Sequence, residues 1–390
     1  MKNGKPVVLQ LCLTLDTGGL ERVVVNLANE LARSSAVHSQ ICSLGCTSGD
    51  VIPASILGDV RWTELKGKTY FTAWNALKLA SLVRREGVDV IHAHGTQPLA
   101  YALTTAMLCD VGIVATKHNS YEDLEFFQRR RSFNWMAGKR VSAFTGVSDQ
   151  ATEILQRVFP QAAARCQTLI NGTELIRKLP ADAECPPKHD KFVLATVCRL
   201  APEKDLVTLL KAFAQVRAKN EKTELWIIGD GSERGNLLQL ADNLKLKEHV
   251  RFWGFRGRVE QILKCVDLYV NSSWTEGISV SILEAMSAGL PIVATAVGGT
   301  PQIVKPFQNG ILVLPRDPDA LAQAILKLSL DAELCARLGQ NSCKLVEENW
   351  SLRRMAERYL ELYEKALPRT SGKKKEGAAA TPRPSVVRRA

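Results

Sequence analysis

Short apolar runs alternate with stretches of helical period along most of this chain. Runs at 7–13, 39–44, 60–65, 88–92, 113–116 and 141–146 are too short for buried helices and read as strands. Between the first two, Leu20, Val23, Val24, Leu27 and Leu31 recur at steps of three and four, the apolar stripe of a helix. A second helix is expected at 73–85. Continuous apolar strands joined by helices predict parallel sheets buried on both faces, with right-handed crossovers. The rhythm breaks at 176–190, where three prolines and mixed charge carry no periodicity, as in a linker. It resumes with runs at 192–197, 225–228, 250–256, 268–270 and 292–294. Two α/β units are therefore expected, at 1–178 and 191–350, joined through 179–190. A last helix, within 351–367, should cross back onto the first unit. Residues 368–390 are basic and of low complexity, without a core-forming pattern, and are expected to be disordered.

The densest chemistry lies at 267–295, DLYVNSSWTEGISVSILEAMSAGLPIVAT. An apolar strand leads through a polar bend to Glu276 and Gly277, and a helical pattern follows from Ser279 to Ala288. In an open α/β sheet, ligands sit outside the carboxyl ends of strands, where the next helix begins. The N–H groups of Gly277, Ile278 and Ser279 are candidates for a phosphate. Glu276 and Glu284 bracket that helix start, eight residues and roughly 12 Å of helix apart. Glu284 leans back toward the same site, because helical side chains tilt toward the N-terminus. Carboxylates at both ends, with N–H donors between them, match a nucleotide sugar.

This stretch resembles the E-x(7)-E signature of retaining GT-B glycosyltransferases and looks most like family 4. That family includes the bacterial polysaccharide and lipopolysaccharide transferases. Other segments extend the resemblance over about 7–366. LDTGGLER places Gly18 and Gly19 where the family's glycine loop faces donor phosphate and acceptor. KHNS places His118 where a histidine contacts the transferred sugar or the acceptor. VCRLAPEKD places Arg199 and Lys204 where an arginine and a lysine clamp the donor diphosphate and assist its departure. Two positions depart from the pattern: Cys198 and Ser279 stand where relatives often carry glycine, or at the latter glycine or proline.

The resemblance implies the GT-B fold, two Rossmann-like domains with parallel sheets facing a central cleft. It implies transfer of a sugar from a UDP- or GDP-sugar to a hydroxyl of a glycan or lipid-linked acceptor, with retained anomeric configuration. By the same carry-over, Arg199, Lys204, Glu276 and His118 form the catalytic set. Gly18, Gly19, Arg199, Lys204, Glu276, Gly277, Ile278, Ser279 and Glu284 bind the donor, Glu276 holding sugar hydroxyls and Glu284 the ribose. No cofactor and no metal is expected, since no D-x-D element stands where a metal would be needed. The alternative is a GT-B-like subunit that binds nucleotide or a partner without turnover.

Composition then narrows partners. The net charge is +11, and the excess of Lys and Arg lies in the first half and the tail. No stacking platform or reading helix supports nucleic acid as a partner. An anionic donor or an anionic membrane surface fits better. At 126–140, five basic residues mix with Phe126, Phe127, Phe133, Trp135 and Met136. Such a segment can lie on a bilayer surface or form an ordinary helix with one core-facing side. The ten cysteines show no paired metal spacing and suggest free thiols in a reducing compartment. No signal peptide or membrane-spanning run is visible. The expected location is cytoplasmic, with peripheral contact at the inner membrane face left open.

Overall fold

A computed structural model describes residues 4–16, 18–49, 52–67, 71–118, 131–176 and 190–368. Most of 179–190, the amino-terminal part of 126–140 and nearly all of 368–390 lie outside those residues.

The chain forms two Rossmann-like domains, each built on a parallel sheet. The first sheet has seven strands: β1 (Val7–Cys12), β2 (His38–Gly45), β3 (Arg61–Gly67), β4 (Val90–His94), β5 (Gly112–Lys117), β6 (Ala143–Gly146) and β7 (Cys166–Thr168). Their spatial order is β3-β2-β1-β4-β5-β6-β7. The second has six: β8 (Phe192–Val197), β9 (Thr223–Ile228), β10 (Val250–Gly254), β11 (Leu268–Asn271), β12 (Ile292–Thr295) and β13 (Gly310–Val313). Their order is β10-β9-β8-β11-β12-β13. In both sheets the order reverses beside the first strand, between β1 and β4 and between β8 and β11. Such a switch point opens a crevice at the carboxyl ends of the strands.

Alternation along β1 shows why its residues are apolar on both faces, Gln10 apart. Val7, Leu9 and Leu11 pack with Leu79, Leu82 and Val83 of α2 (Ala73–Glu86) and Leu99 and Leu103 of α3 (Thr96–Leu108). Val8 faces the opposite way, onto Val23, Leu27 and Leu31 of α1 (Gly19–Ser34). Each fully buried side chain of this size contributes about 1.5–3 kcal/mol of burial free energy. The helix at Arg131–Arg140, α4, buries Ala137 and leaves Trp135 exposed beneath Lys139. Ser148 caps α5 (Asp149–Val158), its side chain accepting from the Ala151 N–H.

In the second domain, α6 (Leu206–Lys219) follows β8, and α7 (Arg234–Asn243) follows β9. After α8 (Val259–Leu263) come α9 (Val280–Ser287), α10 (Thr300–Ile303), α11 (Pro318–Leu330) and α12 (Ala332–Asn349). The terminal helix α13 (Leu352–Ala366), capped by Ser351, packs on the first domain. Met355, Tyr359 and Tyr363 join the layer of Val8, Val90 and Val114 there. Among the described residues, no helix is long and apolar enough to cross a membrane. Among the described residues, eight cysteines carry free thiols, whereas Cys265 is disulfide-bonded. Free thiols were the expectation for all; pairing depends on proximity in space, which spacing along the chain does not report.

Candidate active site at the interdomain cleft

The site grows from the second sheet's switch point. β8 ends at Val197, and the chain runs through Cys198 and Arg199 into a short 3-10 turn, Pro202–Lys204. Asp205, in the left-handed region at φ 46°, reverses the chain and caps α6 by accepting from the Thr208 N–H. β11, hydrogen-bonded beside β8, ends at Asn271 and delivers the polar bend expected there. The two loops are stitched together. Ser272 Oγ donates to the Lys204 carbonyl (2.8 Å), and the Trp274 N–H to the Glu203 carbonyl (3.0 Å). Trp274 Nε1–H donates to the Pro202 carbonyl (2.9 Å).

At the centre of that seam Lys204 Nζ lies 2.7 Å from Glu276 Oε1. The same oxygen accepts from Ser273 Oγ (2.7 Å) and, at 3.5 Å, from Asn271 Nδ2. Their side chains are 20% and 9% exposed, so little water screens the pair. Burial alone would lower the Lys204 pKa, but the charge and hydrogen bond of Glu276 outweigh it and hold the ammonium above its ordinary range. Arg199 is different: it is largely exposed, and its guanidinium bonds Glu203 at 2.7 Å. It touches neither Lys204 nor Glu276 through a hydrogen bond.

Helix α9 begins at Val280, with Ser279 as N-cap and no side-chain bond capping the first turn. The first-turn N–H groups are therefore those of Val280, Ser281 and Ile282, later than the Gly277, Ile278 and Ser279 expected from sequence. The Ser279 hydroxyl lies 3.0 Å from that of Ser281, which accepts from Tyr269 (2.8 Å). Gly277 serves the domain contact. A Cβ built there would stand 2.3 Å from the His118 carbonyl oxygen, so only glycine lets these two backbones approach. Gly299 repeats the device against the Gly277 carbonyl.

The first domain supplies the opposite wall. Gly18 and Gly19 follow β1, and a Cβ on Gly19 would lie 3.7 Å from Val280 Cγ2. One turn into α1, Arg22 reaches across the cleft, with Nη1 2.8 Å from Glu284 Oε1. Burial raises the Glu284 pKa, and Arg22 opposes that rise. Burial likewise raises Glu21, with the charge of Arg199 from the second domain acting against it. His118 stands just beyond β5, its Nε2 3.0 Å from His94 Nδ1. Burial, then the charge of Lys117, pushes the His118 pKa down to about 4, so its imidazole is neutral near pH 7.

The structure thus brings Lys204 onto Glu276, Glu284 onto Arg22, Gly19 onto α9 and His118 onto Gly277. Arg22, Asn271 and Ser273 were not singled out from sequence, and His94, a strand-end histidine like His118, was left out of the expected binding residues. Arg22 follows the glycine pair by three residues, one helical turn, and that spacing was its available signal. His94 ends an apolar strand two residues after His92, the alternation that puts both on one face.

Two family models divide the chain: Glycosyltransferase Family 4 matches residues 17–177, and Glycosyl transferases group 1 matches 181–345. The chain belongs to glycosyltransferase family 4. It is 26% identical over 346 residues to the lipopolysaccharide core biosynthesis glycosyltransferase LpsE of Rhizobium meliloti, covering 88% of this chain and 95% of that protein. It is 25% identical over 273 residues to an Escherichia coli UDP-Gal:α-D-GlcNAc-diphosphoundecaprenol α-1,3-galactosyltransferase, covering 66% and 70%. Anabaena Alr3699/HepE, solved with UDP, superposes with a TM-score of 0.78 at 20% identity, covering 92% of this chain and 99% of that one. The family 4 chain described here is a glycosyltransferase of GT-B architecture.

Proposed function

We propose that this glycosyltransferase moves a sugar from a UDP- or GDP-sugar to a hydroxyl of a glycan or lipid-linked acceptor, in lipopolysaccharide or polysaccharide synthesis. The observation that carries the reading is the Lys204–Glu276 pair, built across the two switch-point loops and facing His118 across a glycine-tight junction. In this reading Glu276 holds hydroxyls of the transferred sugar, and Lys204, Arg199 and the start of α9 oppose the diphosphate charge. Glu284 takes the ribose, whose hydroxyls replace the Arg22 contact and free that guanidinium beside the nucleotide. The bond from the anomeric carbon to the donor phosphate breaks, and the acceptor oxygen bonds to that carbon on the same face. The acceptor proton passes to the departing phosphate. Configuration is retained, and these side chains supply the positive charge without a metal. A GDP- or UDP-linked donor suits the site because both present the same ribose and diphosphate.

Peripheral contact with an anionic membrane belongs to the same reading. Trp74 and Trp135 are exposed on the first domain, with Lys78 and Lys139 over their rings. Aromatic rings beside ammonium groups suit a headgroup boundary. Vesicles with and without anionic lipid, at low and high salt, test it: binding only to anionic vesicles, lost at high salt, is expected.

The enzymatic test is transfer by the purified chain with a panel of UDP- and GDP-sugars, with and without chelator, and assignment of the product anomer by NMR. Glu284→Ala should weaken the bare nucleoside diphosphate and the donor alike. Glu276→Ala should spare the diphosphate and impair the whole donor. Loss of diphosphate binding in Glu276→Ala but not in Glu284→Ala would reverse the donor's orientation. An inverted product would refute retention, and full turnover in both variants would move the site elsewhere.

A further inference from the structure

Behind His118 the first domain buries a ladder of polar side chains inside an otherwise apolar layer. On the sheet face covered by α1 and α13, Val8, Val90, Val114 and Ala143 form an apolar row. Two residues further along each strand that row becomes Gln10, His92, Thr116 and Thr145, all buried. Another step along β4 and β5 reaches His94 and His118. Helix α13, from the far end of the chain, lays Tyr359 and Tyr363 onto the ladder.

The hydrogen bonds run in one sense. Gln10 Nε2 donates to the Tyr363 hydroxyl (3.2 Å), leaving Gln10 Oε1 to accept from His94 Nε2–H (2.9 Å). A neutral His94 protonated at Nε2 holds its lone pair on Nδ1, and that atom is 3.0 Å from His118 Nε2. His118 must then donate through Nε2–H, which leaves its own lone pair on Nδ1. On the other side, the Tyr363 hydroxyl donates to His92 Nδ1 (2.7 Å), and His92 Nε2–H donates to Thr116 Oγ1 (2.6 Å). Thr116 closes the ladder on Thr145 (2.6 Å) and Tyr359 (3.1 Å). The Gln10 amide sets the sense of every bond, because its donor and acceptor ends are covalently distinct; turning it over would reverse the chain as far as His118.

We propose that Gln10, His94 and Tyr363 are positioning residues that hold His118 as the Nε2–H tautomer, offering Nδ1 to accept a hydroxyl hydrogen from the sugar or the acceptor. The proposal deepens the transferase reading and rests on it for the identity of that hydroxyl. A buried polar network fully satisfied in this way specifies one geometry, which an apolar core would not require. The ladder is neutral near pH 7: burial, foremost, holds His92 and His94 well below the ordinary histidine range and Tyr363 well above the ordinary tyrosine one. Among the described residues, the charged groups facing His118 are Lys117, which precedes it at the end of β5, and, next to Gly277 across the cleft, Glu276 bound to Lys204. Tyr359 on α13 is likewise held protonated by burial.

The test uses the full-length ligand-free protein, labelled with 15N at histidine, so that the tautomer is read without turnover. Long-range proton–nitrogen correlations at pH 7 should show His118 protonated at Nε2 and bare at Nδ1. Gln10→Glu replaces the amide by an acceptor-only carboxylate, which should draw a proton onto the His94–His118 pair. The His118 titration should then move up by on the order of one pH unit. The acidic limb of kcat should move with it while donor KM stays put, a pattern that mere loss of packing does not produce. Tyr363→Phe, which removes one hydroxyl far along the chain, should leave His118 in mixed tautomers and serves if Gln10→Glu does not fold. A wild-type His118 protonated at Nδ1, or a His118 unmoved in the folded variants, would overturn the proposal. A ladder that reads out as described in a protein that transfers no sugar would instead remove the transferase reading.

Discussion

Replacing Lys204 by methionine tests whether the ion pair holds the two switch-point loops together. Lys204 Nζ and Glu276 Oε1 are 2.7 Å apart, and neither side chain is more than 20% exposed. At an effective dielectric of about 20, unit charges at that distance attract with about 6 kcal/mol, most of which offsets their desolvation. Methionine keeps the length of the aliphatic stem and removes the charge. Glu276 then stays buried with Ser273 and Asn271 among its hydrogen-bond donors. Deleting one member of a buried pair costs about 3–5 kcal/mol, and those two donors place the expected loss near 3 kcal/mol. Trp274, on the affected loop, offers a fluorescence probe for urea unfolding, in which that loss lowers the midpoint by about 1 M. Glu276→Gln removes the charge but keeps the shape, and should cost about 1 kcal/mol, because Lys204 can still reach water. The double variant should be more stable than Lys204→Met alone, with a coupling of about 2 kcal/mol. A loss under about 1 kcal/mol in Lys204→Met, with additive double-variant behaviour, would show a solvated pair that does not hold the loops.

Arg199→Ala should separate stability from chemistry: its pair with Glu203 is exposed, so unfolding should shift by less than about 0.5 kcal/mol while transfer falls about a hundredfold. Gly277→Ala places a methyl 2.3 Å from the His118 carbonyl and should force the domains apart, seen as a larger radius in small-angle scattering and a lower transfer rate. Unchanged scattering would show that the junction yields elsewhere. For pH, the neutral His118, folded pKa about 4 against about 6.5 unfolded, makes the unfolded chain the better proton binder between those values. Its contribution to stability is complete above about pH 6.5 and is lost as pH falls toward 4, by about 1.4 kcal/mol per pH unit. His92 and His94 act in the same direction, while the raised Glu284 acts oppositely. Thermal midpoints from pH 7.5 to 4.5 should therefore fall less steeply in His118→Gln than in the wild type.

Fold class was legible from residue order alone because parallel strands buried on both faces must be largely apolar, as β12 is up to Thr295 and β1 is apart from Gln10. The positions of Lys204 and Glu276 followed from motifs, since each lies in the loop after a strand whose carboxyl end defines the crevice. The partners of those residues were not legible in that way. The contact of Lys204 with Glu276 spans 72 residues, and that of Arg22 with Glu284 spans 262 and joins two domains. No local period encodes such distances. The start of α9 also needed coordinates, because a helix begins where its backbone turns, and Gly277 is bent to the His118 backbone before that point. The histidines show the division most plainly. Alternation along the strands places Gln10, His92, Thr116 and Thr145 on one face, whereas only the return of α13, with Tyr363 between Gln10 and His92, decides what their polar atoms meet. Side-chain direction is local and follows from a period of two; hydrogen-bond partnership is set by packing elements distant in the chain.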